Sequence, residues 1–315
     1  MTAAIAVQNV VYTVRRHFYS APKTIVDSLT FTVAPGEICG FVGANGAGKT
    51  TTMRMLLGQV TPTSGSLQLF GLPASDPGAR VGLGFLPERA IPKSPLSAHA
   101  IVRAHGLLSG LSRAEATRAA GEALERLGLG DQAHRPLKDF SKGMAQRVGL
   151  AQAIVGAPRL LILDEPLSGL DPPGRHAVRE LIAEMGQRGC AVFFSTHILA
   201  DVELICDRVL VLQNGQLTHQ GPPAKLVAQG AERLERTEII ALDLDPQIWA
   251  LAEGLGAHCR QFGRSHRIIA NSLADANEIG RAILASGATL KVLAPFGGSP
   301  LEALLLKPQQ RPPAP

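Results

Sequence analysis

Residues 38–51 read ICGFVGANGAGKTT: an apolar run, a loop of glycine and alanine, one lysine, then threonines. Glycine at 43, 46 and 48 lets the main chain approach an anion without Cβ clashes. Successive N–H groups ahead of a helix N-terminus form a positively polarised concavity. Gly43–Thr50 fits the phosphate-loop pattern GxxxxGK[ST]. The segment Gly43, Ala44, Asn45, Gly46, Ala47, Gly48, Lys49, Thr50 and Thr51 is therefore read as a cradle for a nucleotide. Lys49 reaches the β and γ phosphates, and the Thr50 hydroxyl offers Mg²⁺ the hard oxygen ligand it prefers. The bland alternative is a glycine-rich turn with a surface lysine. The apolar run before it reads as a buried strand, and residues 49–59 read as a helix with one apolar face, which is the context a phosphate loop needs.

A second constraint lies some 115 residues on. Arg159–Pro166, RLLILDEP, is an apolar strand ending in two acids. Alone it is also compatible with acids capping a helix. Paired with the loop, Asp164 is placed to hold Mg²⁺ through water and Glu165 to orient an attacking water. Cys190–His197, CAVFFSTH, is another such strand, and strands apolar on both faces belong in a sheet covered by helices. Between the loop and the acids, residues 98–156 are alanine-rich with Leu and Val at helical spacing, a helical insert. RVLVLQNGQLTHQG reads as a hairpin around Asn214-Gly215. After Gly221 the rhythm changes to strand, helix, strand, strand, helix, strand, the order of a small ferredoxin-like α+β domain. The expected organisation is a P-loop α/β domain over 4–230, its helical part near 88–157, an α+β domain over 231–307, and a disordered tail over 308–315.

The sequence resembles the nucleotide-binding subunit of ABC transporters. In that family a helical subdomain between loop and acids carries a signature, commonly LSGGQ. Here FSKGMAQRVGLAQAI (140–154) stands in its place, with Lys142 and Met144 departing from the common form and Ser141 and Gly143 kept. The resemblance implies that Ser141 and Gly143 close on the γ-phosphate of ATP held by a second ATPase subunit. It implies that SGLD (168–171), with Asp171, meets that subunit, and that His197 contacts the γ-phosphate. The family's glutamine after a strand is replaced by Glu88 in GFLPE, read either as a Mg²⁺-facing sensor or as an ordinary loop residue. The LPE form looks like one known among exporter-type ATPases. The adenine-stacking aromatic is sought in RRHFYSAPK, where Phe18 and Tyr19 compete and Tyr19 is chosen. SPLEALLLKP near the end resembles the short C-terminal helix of ABC-2 type exporter ATPases. The implied protein is an ATP- and Mg²⁺-dependent ATPase that drives a separate integral membrane permease, as an exporter, from the cytoplasmic face of the membrane.

No run of about 18 apolar residues occurs in the 315-residue chain, so no span is expected. MTAAIAVQNV does not read as a secretory signal. The four cysteines are scattered without CxxC, which fits a reduced compartment. A net charge of +5 suits an anionic surface or is ordinary surface charge, and no nucleic-acid partner is expected. His258, Cys259 and His266 are spaced poorly for a metal. Soluble relatives in translation or DNA repair form the alternative class. They carry paired cassettes, zinc modules or long coiled coils, and no such signal appears here.

Overall fold

The computed structural model describes residues 2–15, 21–88, 94–227 and 236–295. The chain divides into two compact units, Met1–Pro223 and Ala224–Pro315. The expected boundary at 230, the pair Phe18 and Tyr19, and the tail with SPLEALLLKP lie outside the described residues.

The first unit opens with β1 (Ile5–Val14) and β2 (Lys23–Val33), then β3 (Ile38–Gly43), the phosphate loop and α1 (Lys49–Leu56). β4 (Ser64–Leu69) and β5 (Leu72–Pro73) complete an antiparallel sheet of order β2-β1-β4-β5. β6 (Leu83–Leu86) leads to the insert of α2 (Ala98–Leu108), α3 (Arg113–Arg126) and α4 (Lys142–Ile154). The chain then alternates β7 (Leu160–Asp164), α5 (Pro172–Gln187), β8 (Ala191–Thr196) and α6 (Leu199–Ile205), and closes with the hairpin β9 (Arg208–Gln213) and β10 (Gln216–Gly221). The second sheet has the order β10-β9-β3-β8-β7-β6, parallel except for β10 at its edge.

Every residue of β3, β7 and β8 is buried, as their unbroken apolar runs require. The pleat sends alternate side chains to opposite faces. Cys39, Phe41, Ile162 and Phe193 enter a core shared with the antiparallel sheet and α1. Leu161, Leu163, Val192 and Phe194 enter a core shared with the insert and α5. Phe41 and Phe193 meet at 5.2 Å between ring centroids, with Phe31 of β2 completing the cluster. Burying each such ring stabilises by about 1.5–3 kcal/mol. α4 lies directly on β6: a Cβ on Gly84 would sit 2.1 Å from the Ala153 carbonyl oxygen. Asn214 and Gly215 both have positive φ, 50° and 83°, the conformation a two-residue hairpin of this twist needs.

The second unit is β11 (Thr237–Leu242), α7 (Pro246–Gly254), β12 (His258–Phe262), β13 (Ser265–Ala270), α8 (Leu273–Ser286) and β14 (Thr289–Pro295). Its antiparallel sheet has the order β12-β13-β11-β14. This is the ferredoxin-like arrangement that the element order predicts. Ile239, Ile268, Ile279 and Ile283 anchor its core.

Candidate active site

The carboxyl ends of the parallel strands define one edge of the sheet, where open α/β sheets bind ligands. Register aligns Val42 with Thr196, Asp164 with Ser195, and Leu86 with Leu163. The phosphate loop, Asp164, Glu165, His197 and Glu88 are therefore all carried to this edge.

Gly43 ends β3 under the hairpin: a Cβ there would lie 2.5 Å from the Leu212 carbonyl oxygen. The Gly215 N–H donates to the Ala47 carbonyl at 3.0 Å, so the hairpin turn braces the loop from behind. Ala44, Asn45 and Gly46 are exposed, and Gly46 (φ 81°) has open space where a side chain would stand. Gly48 caps α1 with φ 111°, and no side chain accepts from the first turn of the helix. That leaves the initial amides of α1 available to an anion. Thr50 and Thr51 are half-buried at this turn, while Thr52 turns inward and donates to the Gly48 carbonyl.

Lys49 is 7% exposed. Its Nζ donates to the carbonyls of Gly43 at 2.6 Å and Ala44 at 3.4 Å, and lies 3.8 Å from Glu165 Oε1. Glu165 Oε2 lies 2.9 Å from His197 Nδ1, whose ring is about half exposed. The carboxylate thus sits between a buried ammonium and an accessible imidazole. Its backbone is left-handed, with φ 53°. Two residues absent from the sequence-based expectation hold it there. Ser195 Oγ accepts from the Glu165 N–H at 2.9 Å and donates to Asp164 Oδ1 at 2.6 Å. Gln146 Nε2 donates to the Glu165 carbonyl at 3.3 Å. Ser195 interrupts the apolar run of β8, but only the strand register sets it beside Asp164.

Asp164, 3% exposed, and the Thr50 hydroxyl supply hard oxygens next to the cradle. Among the described residues no cluster of three or more His, Cys, Asp or Glu forms a metal cage. This donor set fits Mg²⁺, which takes one or two protein ligands and relies on substrate phosphates for the rest.

Ser141 and Gly143 lie elsewhere. Ser141 caps α4, its Oγ accepting from the Met144 N–H at 3.2 Å. Gly143 packs on the loop after Glu165, where a Cβ would lie 3.2 Å from the Gly169 carbonyl oxygen. No hydrogen bond or ion pair among the described residues joins either to the phosphate loop. Asp171 is exposed at the cap of α5, where its carbonyl accepts the Arg175 N–H at 2.9 Å and its side chain makes no capping bond. Glu88 is exposed at the sheet edge without a hydrogen-bond or ion-pair partner among the described residues. Residues 89–93, which follow Glu88, lie outside the described residues.

A phosphate loop behind a central parallel strand, an Asp-Glu pair on the next strand but one, and an inserted helical segment define a P-loop nucleoside triphosphatase of the cassette type. The family described as ABC transporter matches residues 26–168. The ABC transporter ATP-binding protein YxlF of Bacillus subtilis (strain 168) is 39% identical over 223 residues, covering 71% of this chain and 72% of that protein. The chain belongs to the ATP-binding subunits of ABC transporters. The Nod factor export ATP-binding protein I of Cupriavidus metallidurans is 36% identical over 229 residues, covering 72% of this chain and 74% of its own length. A solved ATP-binding subunit of an ABC transporter superposes with TM-score 0.64 at 30% identity, covering 72% of this chain and 92% of that one.

Proposed function

We propose that this chain hydrolyses ATP as one half of a head-to-tail dimer and thereby drives a separate integral membrane permease, in the direction of export, from the cytoplasmic face of the membrane. The observation that carries the catalytic reading is Glu165. Its carboxylate stands 3.8 Å from Lys49 Nζ and 2.9 Å from His197 Nδ1, at the mouth of the phosphate loop. The loop amides and Lys49 bind and orient the triphosphate. Thr50, and Asp164 through water, would hold Mg²⁺, which would supply positive charge against the phosphoryl oxygens. Glu165 holds the attacking water in line and accepts its proton, while His197 keeps the carboxylate aimed and reaches the terminal phosphate. Positioning and charge stabilisation of this kind carry most of phosphoryl-transfer catalysis. Among the described residues Ser141 and Gly143 make no hydrogen bond to their own phosphate loop, which supports a dimer in which these groups serve the site of a second copy or a paralogue. Tyr19 stacks on the adenine, and Glu88 faces Mg²⁺ and the permease. The similarity to the Nod factor export protein supports export. No described helix is long and apolar enough to cross a membrane, so the motion passes to another chain.

The test is Glu165→Gln, which keeps size and loses the base. It should retain ATP, accumulate as a dimer on size-exclusion chromatography, and lose at least about 100-fold in kcat. Undiminished steady-state hydrolysis removes Glu165 as the base. Co-purification with an integral membrane protein is the expected partner result, and recovery with ribosomes or DNA overturns the transport reading.

A further inference from the structure

Among the side chains of α4, Gln146 is the buried polar one, at 3% exposure. Its amide donates to the Glu165 carbonyl, which also accepts the Ser168 N–H at 3.1 Å and so closes the turn that begins SGLD. With Ser195 on the Glu165 N–H, the left-handed backbone of Glu165 is gripped on both sides. Gly143 stands three residues before Gln146, on the same face of α4. There it packs against the Gly169 carbonyl, with Leu170 Cδ2 3.6 Å from where its Cβ would be. One helix face thus meets the catalytic turn at two points, and the N-terminus of that helix carries Ser141.

We propose that Gln146 is a positioning residue that couples the two nucleotide sites of the dimer. This rests on the dimer reading above. A partner's triphosphate engaging the N-terminus of α4 shifts the helix as a rigid element. Gln146 passes that shift to the carbonyl of Glu165 and so sets the carboxylate in its own site. Each site then reports its occupancy to the other, and the coupling is reciprocal, as linkage requires for binding.

The experiment uses the full chain with Gln146→Met, an apolar side chain of similar length. Ser168 still satisfies the Glu165 carbonyl, so the variant leaves no orphaned acceptor. Gln146→Glu, which presents acceptors where a donor is required, is measured beside it and serves should the methionine variant not fold. Monomer affinity for ATP, read by fluorescent-nucleotide titration, should be unchanged. The kcat should fall roughly 10- to 100-fold, as for a slightly misplaced catalytic group. The wild-type rate should rise sigmoidally with ATP and the variants' rates should not, with the Hill coefficient falling toward 1. Wild-type rate and cooperativity, or a lower rate with cooperativity retained, overturns the proposal. Glu165→Gln alone separates the two readings. If it forms no ATP-dependent dimer, the dimer falls and the coupling with it. If the dimer forms and the Gln146 variants still hydrolyse cooperatively, the coupling alone falls.

Discussion

Glu165 holds φ 53°, a conformation that costs a non-glycine residue on the order of 1–3 kcal/mol and concentrates at functional sites. Here two hydrogen bonds to buried side chains retain it, one accepted by Ser195 and one donated by Gln146. The opposite device operates at Gly43, where the backbone has no room for any side chain. Gly43→Ala forces a methyl within 2.5 Å of the Leu212 oxygen and 3.2 Å of the Ala47 Cβ. We expect about 1–3 kcal/mol of destabilisation from the crowding, read as a lower Tm. Nucleotide titration should also show weaker binding, because the displaced hairpin no longer braces the loop. A wild-type Tm and affinity would contradict this. Gly43, Lys49, Asp164 and Glu165 were legible in the sequence because backbone access, charge and hard oxygens each demand a particular residue type. Ser195 and Gln146 were not, since their partners are chosen by strand register and helix packing.

At the scale of the element, α3 begins with a reciprocal cap. Ser112 Oγ accepts from the Glu115 N–H at 3.3 Å, and the Glu115 carboxylate accepts from the Ser112 N–H at 2.9 Å. Ser112→Ala should lower stability by about 1 kcal/mol, seen as a lower Tm at neutral pH. The hydrogen bonds from Ser112 hold the Glu115 pKa below its ordinary 4.5. A depressed carboxyl pKa stabilises above the unfolded value, and that contribution disappears as pH falls through the folded one. The Tm difference between wild type and Ser112→Ala should therefore shrink below pH 4.5, and a constant difference would disprove the carboxylate's share in the cap. Elements of this kind were unevenly legible. β3, β7 and β8 announce themselves as unbroken apolar runs. β1, β2 and β4 do not, because register shifts around Val7–Thr13 and Gln8–Val11 break the two-residue alternation.

Packing on both faces of the parallel sheet has a consequence for the whole molecule. Cys39 and Cys190 are buried inside it, and Cys206 packs half-buried against its core. Burial pushes the Cys190 thiol up to about 12 and lifts Cys39 and Cys206 well above the usual thiol range. Thiols so held remain protonated and unreactive. Iodoacetamide at pH 8 followed by mass spectrometry should leave these three unlabelled in the native chain and label them after denaturation. Rapid native labelling at Cys39 would show that the core opens. The ferredoxin-like second unit has its own apolar core, and its element order was readable because its helices and strands are short, regular and separated by turns.

Local chemistry marked out the candidate phosphate cradle: only glycine, lysine and hydroxyl side chains in that spacing supply the space, charge and oxygen a triphosphate needs. The same is true of strand identity, since a residue buried on both faces of a sheet must be apolar wherever it pairs. Which strand lies beside which is a property of long-range hydrogen bonding and had to be seen in three dimensions. That pairing brings Ser195 to Asp164, folds α4 onto the Glu165 carbonyl, and packs Gly143 against Gly169.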